Sequence, residues 1–246
     1  MRSPRFQRAA VSSAAALVLA AALAGCGSDS DSKDKGESKD SAPKVTALTK
    51  AEATTALMTV DNLGGQFEEN PNADHTTKSP GCLSALDPFT DDTEAPTDAV
   101  RDFATSSNES VAITSQVQSY DSVEDAEEVV ETFRTAMKDC TAIDETDAGG
   151  VSYQLTVDTD DKVTDDDVDE QINVIGYGSG ADASGEVPFG FQLAAVRVGN
   201  SISIVTLAAQ TEEPPGDFTE LIQVVADRLE AVAEGEKPDE SVVAGE

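Results

Sequence analysis

From Leu48 onward, the apolar residues of this chain recur at two different spacings. Every third or fourth position marks one buried stripe of a helix, and every second position marks a strand with one face in a core. The first helical stretch opens at Leu48-Thr49-Lys50-Ala51-Glu52, where Thr49 and Glu52 have capping-box spacing. Leu57 and Val60 share its face, and Gly64-Gly65 supply the stop. Asn, Pro, Asp and Thr dominate Phe67 to Pro96, which reads as loop, and a short helix is expected near Ala99 to Ala104. Val111, Ile113 and Val117 alternate with Ala112, Thr114, Gln116 and Gln118, predicting a half-buried strand.

The clearest helix carries Val123, Ala126, Val129, Val130, Phe133 and Met137 in one stripe behind a Ser122/Asp125 cap, with Cys140 near its end on the same side. Further strands are expected at Val151 to Val157, at Ile172 to Tyr177, at Phe189 to Ala195, and at Ile202 and Ile204. Gly199-Asn200 gives a two-residue hairpin signal between the last pair. After Pro214-Pro215-Gly216, Phe218, Leu221, Ile222, Val225, Leu229 and Val232 form a last helical stripe. Long strand pairs between amphipathic helices predict an α+β fold: a single antiparallel sheet with amphipathic helices packed on one face.

The N-terminal segment follows neither spacing. Arg2, Arg5 and Arg8 precede an alanine-rich apolar run from Ala9 to Leu23, too short for a comfortable membrane span and ending at small residues. Leu23-Ala24-Gly25-Cys26 resembles the lipobox of bacterial lipoproteins. That resemblance implies a cleaved signal peptide over residues 1–25 and a palmitate-type diacylglyceryl group on the Cys26 sulfur, a lipid anchor to the membrane. Residues 26–44 are rich in Ser, Asp, Lys, Glu and Gly and hold too little apolar area to offset the entropy of ordering. They read as a flexible tether with a reach of roughly 20–25 Å. Residues 45–234 then suit one domain, and 235–246 read as a disordered tail.

Charge narrows the partners. The chain has 246 residues and a formal net charge of −32. Such a surface is repelled by nucleic acid phosphates, so no nucleic acid partner is expected, and it keeps an exported domain soluble. Cys82 and Cys140 are the cysteines left after Cys26. In an oxidising compartment two remaining cysteines most simply pair, giving one disulfide.

Candidate chemistry is sparse. Asp158 to Glu170 is the densest acidic stretch, but it has no EF-hand spacing and reads as a solvated loop between two strands. Gly176-Tyr177-Gly178-Ser179-Gly180 matches neither a dinucleotide fingerprint nor GxSxG, and reads as a mobile loop. His75, the single histidine, sits in the polar run Asn72-Ala73-Asp74-His75-Thr76, which gives a Ser-His-Asp site or a zinc site too few partners. No catalytic residue, metal ligand or cofactor is expected.

Several strings fall in a familiar order: the lipobox and tether, a first helix, a loop cysteine, then Ser115-Gln116-Val117-Gln118-Ser119-Tyr120 feeding Ala126 to Cys140. Val196-Arg197-Val198-Gly199-Asn200 and Asp227-Arg228-Leu229 follow. Their layout resembles the PknH-like sensor domain of actinobacterial receptor kinases and stand-alone lipoproteins, over roughly Val45 to Val232. The resemblance implies a disulfide-stabilised α+β domain whose cleft takes an unidentified small molecule or cell-envelope component. The expected protein is a non-catalytic, ligand-binding or sensor-like lipoprotein on the extracytoplasmic face of the cell membrane. An envelope protein–protein interaction module and a cell-wall hydrolase are the alternatives.

Overall fold

The computed structural model describes residues 45–73, 79–86, 95–105, 111–147, 149–164, 167–183, 185–211 and 218–240. All lie in the second of two compact units, Ser41–Glu246. Among the described residues, eight strands build one sheet: β1 (Phe67–Glu69), β2 (Thr97–Thr105), β3 (Val111–Ser119), β4 (Ala142–Thr146), β5 (Ser152–Asp160), β6 (Glu170–Asp182), β7 (Gly185–Val198) and β8 (Ser201–Ala209). Their order is β1-β2-β3-β8-β7-β6-β5-β4, and every neighbouring pair is antiparallel. Three α-helices accompany them among the described residues: α1 (Lys50–Ala56), α2 (Val123–Lys138) and α3 (Thr219–Ala233). Among the described residues, no helix is long and apolar enough to cross a membrane.

The connection from β3 to β4 has the farthest to go, because those strands stand five places apart in the sheet. At about 4.8 Å per strand that is roughly 24 Å. The 16 residues of α2 span about the same distance at 1.5 Å each. Its apolar stripe, Ala126, Val130, Phe133 and Met137, is buried as the spacing predicts, and Ser122 accepts from the Asp125 N–H as N-cap.

Alternate residues of β7 enter opposite cores. Phe191, Leu193 and Ala195 pack with the α2 stripe, whereas Ala194 and Val196 pack with Leu221, Ile222 and Val225 of α3. The expected placement of the helices on one face is therefore corrected: α2 covers one face and α3 the other. The reason lies in β7 and β8, where Ala194, Val196, Val205 and Leu207 form a second apolar face that also needs a cover. Helix α1 joins the α3 layer, with Ala53, Ala56 and Leu57 against Leu229 and Val232.

Three further expectations change. The segment near Ala99 to Ala104 is strand β2, not helix; Ala99 and Phe103 pair with Val117 and Ile113 of β3. An i, i+4 spacing brings two residues to one face of either element, so the spacing alone could not decide. The presumed loop Phe67 to Pro96 contributes β1 and a 3₁₀ turn at Gly81–Leu86. Helix α1 keeps its Thr49/Glu52 capping box but ends at Ala56. Gly64, at φ 66°, closes a separate 3₁₀ turn over Val60–Leu63.

Two buried arginines bind the layers together. Arg228 of α3 donates to the Thr55 and Leu57 carbonyls at 2.8 and 2.7 Å. These groups lie at the end of α1, where helical partners run out. It also reaches Asn62 Oδ1 and Glu240 Oε2, and Glu240 accepts from Thr59 Oγ1. Residues 235–240, expected within a disordered tail, are thus held to the body; 241–246 lie outside the described residues. Arg197, at the end of β7, meets Glu170 at 2.8 Å, Asp169 at 3.2 Å and Glu127 at 3.4 Å. Asp169 also accepts the Gly199 N–H of the hairpin turn. The acidic stretch is therefore not wholly a solvated loop. Its start belongs to β5, its end clamps the β7–β8 turn, and Asp165 and Asp166 lie outside the described residues.

Burial raises the Glu170 carboxyl pKa, but hydrogen bonds and charge from Arg134 and Arg197 outweigh it, and the net shift is downward. A carboxyl lowered by folding adds stability above its unfolded pKa of about 4.3, and that stability is lost as pH falls through the folded value. Glu170→Gln is expected to cost roughly 1–3 kcal/mol at neutral pH. The gap to wild type should close as pH drops below about 4, and urea unfolding across that range measures it.

Candidate functional site

Helix α2 does not cover all of its face of the sheet. Beside it lies an apolar cleft of about 250 Å³. Its floor is Leu155 of β5, Phe191 and Leu193 of β7, and Ile204 and Ala208 of β8, and Ser79, Pro80 and Leu83 form one wall. Thr114 and Gln116 of β3 stand at one rim and Tyr153 of β5 at the other.

Strand β6 runs beneath this cleft with little side chain of its own. Gly176, Gly178 and Gly180 pair with Phe191, Phe189 and Val187 on β7, and with Val157, Leu155 and Tyr153 on β5. A Cβ on Gly176 would lie 2.0 Å from the Phe191 ring, and one on Gly178 would lie 2.0 Å from the Gln154 carbonyl oxygen. The glycines thus make a trough for aromatic rings. Phe189 stands 6.0 Å from Tyr153, edge to face, and 6.3 Å from Phe191. The expected mobile loop at Gly176 to Gly180 is corrected to this strand. The missed signal is the spacing itself: glycine at every second position leaves one strand face bare, and Phe189 and Phe191 recur at the same period.

The disulfide fixes the wall. Cys82 lies in the 3₁₀ turn between Gly81 and Leu83 and is bonded to Cys140, just past the end of α2, with Cα atoms 5.9 Å apart. Leu83 is buried in the α2 core, and the Gly81 N–H donates to Glu145 Oε2 at 3.1 Å. Closing 58 positions of chain contributes about 4 kcal/mol on the chain-entropy account. The pairing expected from export and cysteine count is present, and it holds Pro80 and Leu83 over the sheet.

The polar rim groups are oriented from outside the cleft. Thr114 Oγ1 donates to Asp102 at 2.7 Å, Gln116 Nε2 to Asp98 at 2.9 Å, and the Tyr153 hydroxyl to Asp147 at 3.3 Å. Burial first, then the Asp147 charge and hydrogen bond, raise the Tyr153 pKa, so the phenol keeps its proton.

The other sequence candidates do not converge here. His75 and Cys26 lie outside the described residues. Among the described residues, no group of three or more His, Cys, Asp or Glu side chains is placed to hold a metal ion.

The fold is thus that of an all-antiparallel, two-sided sheet domain with a disulfide-walled apolar cleft. A solved structure is similar in fold: the extracellular domain of PknH from Mycobacterium tuberculosis, at a TM-score of 0.51 and 15% sequence identity, covering 77% of this chain and 98% of that one. No protein-family model matches the sequence, and no curated protein matches it. The likeness is one of fold.

The Gly176–Phe191 contact sets the cleft floor. Gly176→Ala is expected to displace the ring and cost about 1–3 kcal/mol in denaturant unfolding. Adding Phe191→Leu should recover part of that loss, leaving the pair less destabilised than the sum of its single changes.

Proposed function

We propose that this chain is a membrane-anchored extracytoplasmic lipoprotein whose domain, residues 45–234, is a non-catalytic, sensor-like ligand-binding module. The observation that carries the reading is the apolar cleft over the sheet, with Cys82–Cys140 holding its wall. Apolar concavities with a few oriented polar groups are what small-molecule sites are made of. The fold shared with the extracellular domain of PknH supports it. In this reading the signal peptide of residues 1–25 is removed, Cys26 carries the acyl anchor, and residues 26–44 hold the domain clear of the bilayer. The ligand is a small molecule or an envelope component.

Native mass spectrometry of the full chain, exported by its own host, tests the cleft. An added mass lost on unfolding is expected for wild type and absent from Ala208→Trp, which fills the floor. A wild-type protein without added mass, captured instead with an envelope protein by a surface away from the cleft, would favour the interaction module. The anchor has its own test. Cys26→Ala is expected to move the protein from the membrane fraction to the soluble extracytoplasmic fraction, and retention on the membrane would count against lipidation.

A further inference from the structure

The cleft is chemically one-sided, and this bears on what it binds if the ligand-binding reading holds. In a chain that is 26% Asp, Glu, Lys and Arg, none of the described residues lining the cleft is charged. The acids stand one step back, and each takes a hydrogen from a polar group at the rim. Asp102 accepts from the Thr114 hydroxyl, Asp98 from a Gln116 amide N–H, and Asp147 from the Tyr153 hydroxyl.

A hydroxyl has one hydrogen to give and two lone pairs to receive with. Once Thr114 and Tyr153 have given theirs to carboxylates, their oxygens have only lone pairs left to offer a ligand. The same carboxylates make the rim negative in potential, and among the described residues no arginine, lysine or histidine lines the cleft to reverse it. An anionic head entering here would give up its water and meet no cationic partner among the described residues, a costly exchange. A donor head would find oriented acceptors, strengthened by the carboxylates behind them.

We propose that the cleft takes a ligand with an apolar body and a hydrogen-bond-donating head, an alcohol or an amine, and refuses carboxylates and phosphates. The body lies on Phe189, Phe191, Leu193 and Ile204, and the head is received at the rim by Thr114 or Tyr153. The three carboxylates behind the rim thus select for ligand polarity without touching the ligand.

The test is displacement of the neutral fluorophore N-phenylnaphthylamine from the full chain carrying Cys26→Ser. It is run in about 1 M salt, where a Debye length of about 3 Å screens the acidic surface. Decanol and decylamine should displace the probe, with decanoate weaker by about tenfold or more and decyl methyl ether, which cannot donate, weaker severalfold. Thr114→Val should narrow the gap between the alcohol and the ether, and Ala208→Trp should abolish probe binding. Decanoate equal to or better than decanol overturns the proposal. So does a probe that binds Ala208→Trp as well as wild type, or one that does not bind at all. An added native mass that is lost in Ala208→Trp would still stand as evidence for ligand binding in each of those cases, so the two failures are separable.

Discussion

Strand β7 is apolar on both sides, and most of the architecture answers to that constraint. A strand buried on both faces must lie mid-sheet, and its own faces must each receive a cover. Phe191 and Leu193 call for the layer that α2 provides, and Ala194 and Val196 call for α3. The small size of Ala194 and Ala195, both almost fully buried, allows close approach on either side. Once β7 is fixed, β6 and β8 flank it, and the crossover α2 becomes the span that reaches the far edge of the sheet. The cleft is the part of the α2 face that this helix is too narrow to cover.

Most of this order was legible in the sequence wherever period and burial agree. The α2 and α3 stripes, the Thr49 and Ser122 caps, the Gly199-Asn200 hairpin and the antiparallel sheet all follow from local spacing. Reading failed where one pattern serves two structures. Ala99 and Phe103 suit a helix or a strand equally, and only pairing with Val117 and Ile113 separates the two. Gly176 to Gly180 looked like a loop because glycine is weak in strands. Its reason for being there is the ring of Phe191 and the carbonyl of Gln154, neither of them a neighbour in sequence. The cleft was illegible for the same reason, since its floor and rims come from strands far apart in the chain.

Arg197 and Arg228 show a related limit. Both stood in strings that marked the overall layout, yet nothing local predicted that either would be buried. Each is affordable in the interior because its donors meet carbonyls or carboxylates on other elements. Arg228 satisfies carbonyls at the buried end of α1, and Arg197 gathers Asp169, Glu170 and Glu127 at the end of β7. Four acids that read as surface charge in the sequence, Glu127, Asp169, Glu170 and Glu240, are therefore answered by two interior cations.

The order in which strands pair has a kinetic side. From β4 to β8 each strand lies beside its predecessor, so this half can form by short loop closures. Pairing of β3 with β8 instead joins Ser119 to Ser201 and Val111 to Ala209, across contacts of high sequence separation that form slowly. The cleft straddles that seam, with Thr114 and Gln116 on β3 and Ile204, Thr206 and Ala208 on β8. An early meander would therefore hold the floor of the cleft without its β3 rim. Anything lodged between β3 and β8 would act as a clamp on the last step of folding, so that occupancy and completion of the fold reinforce one another.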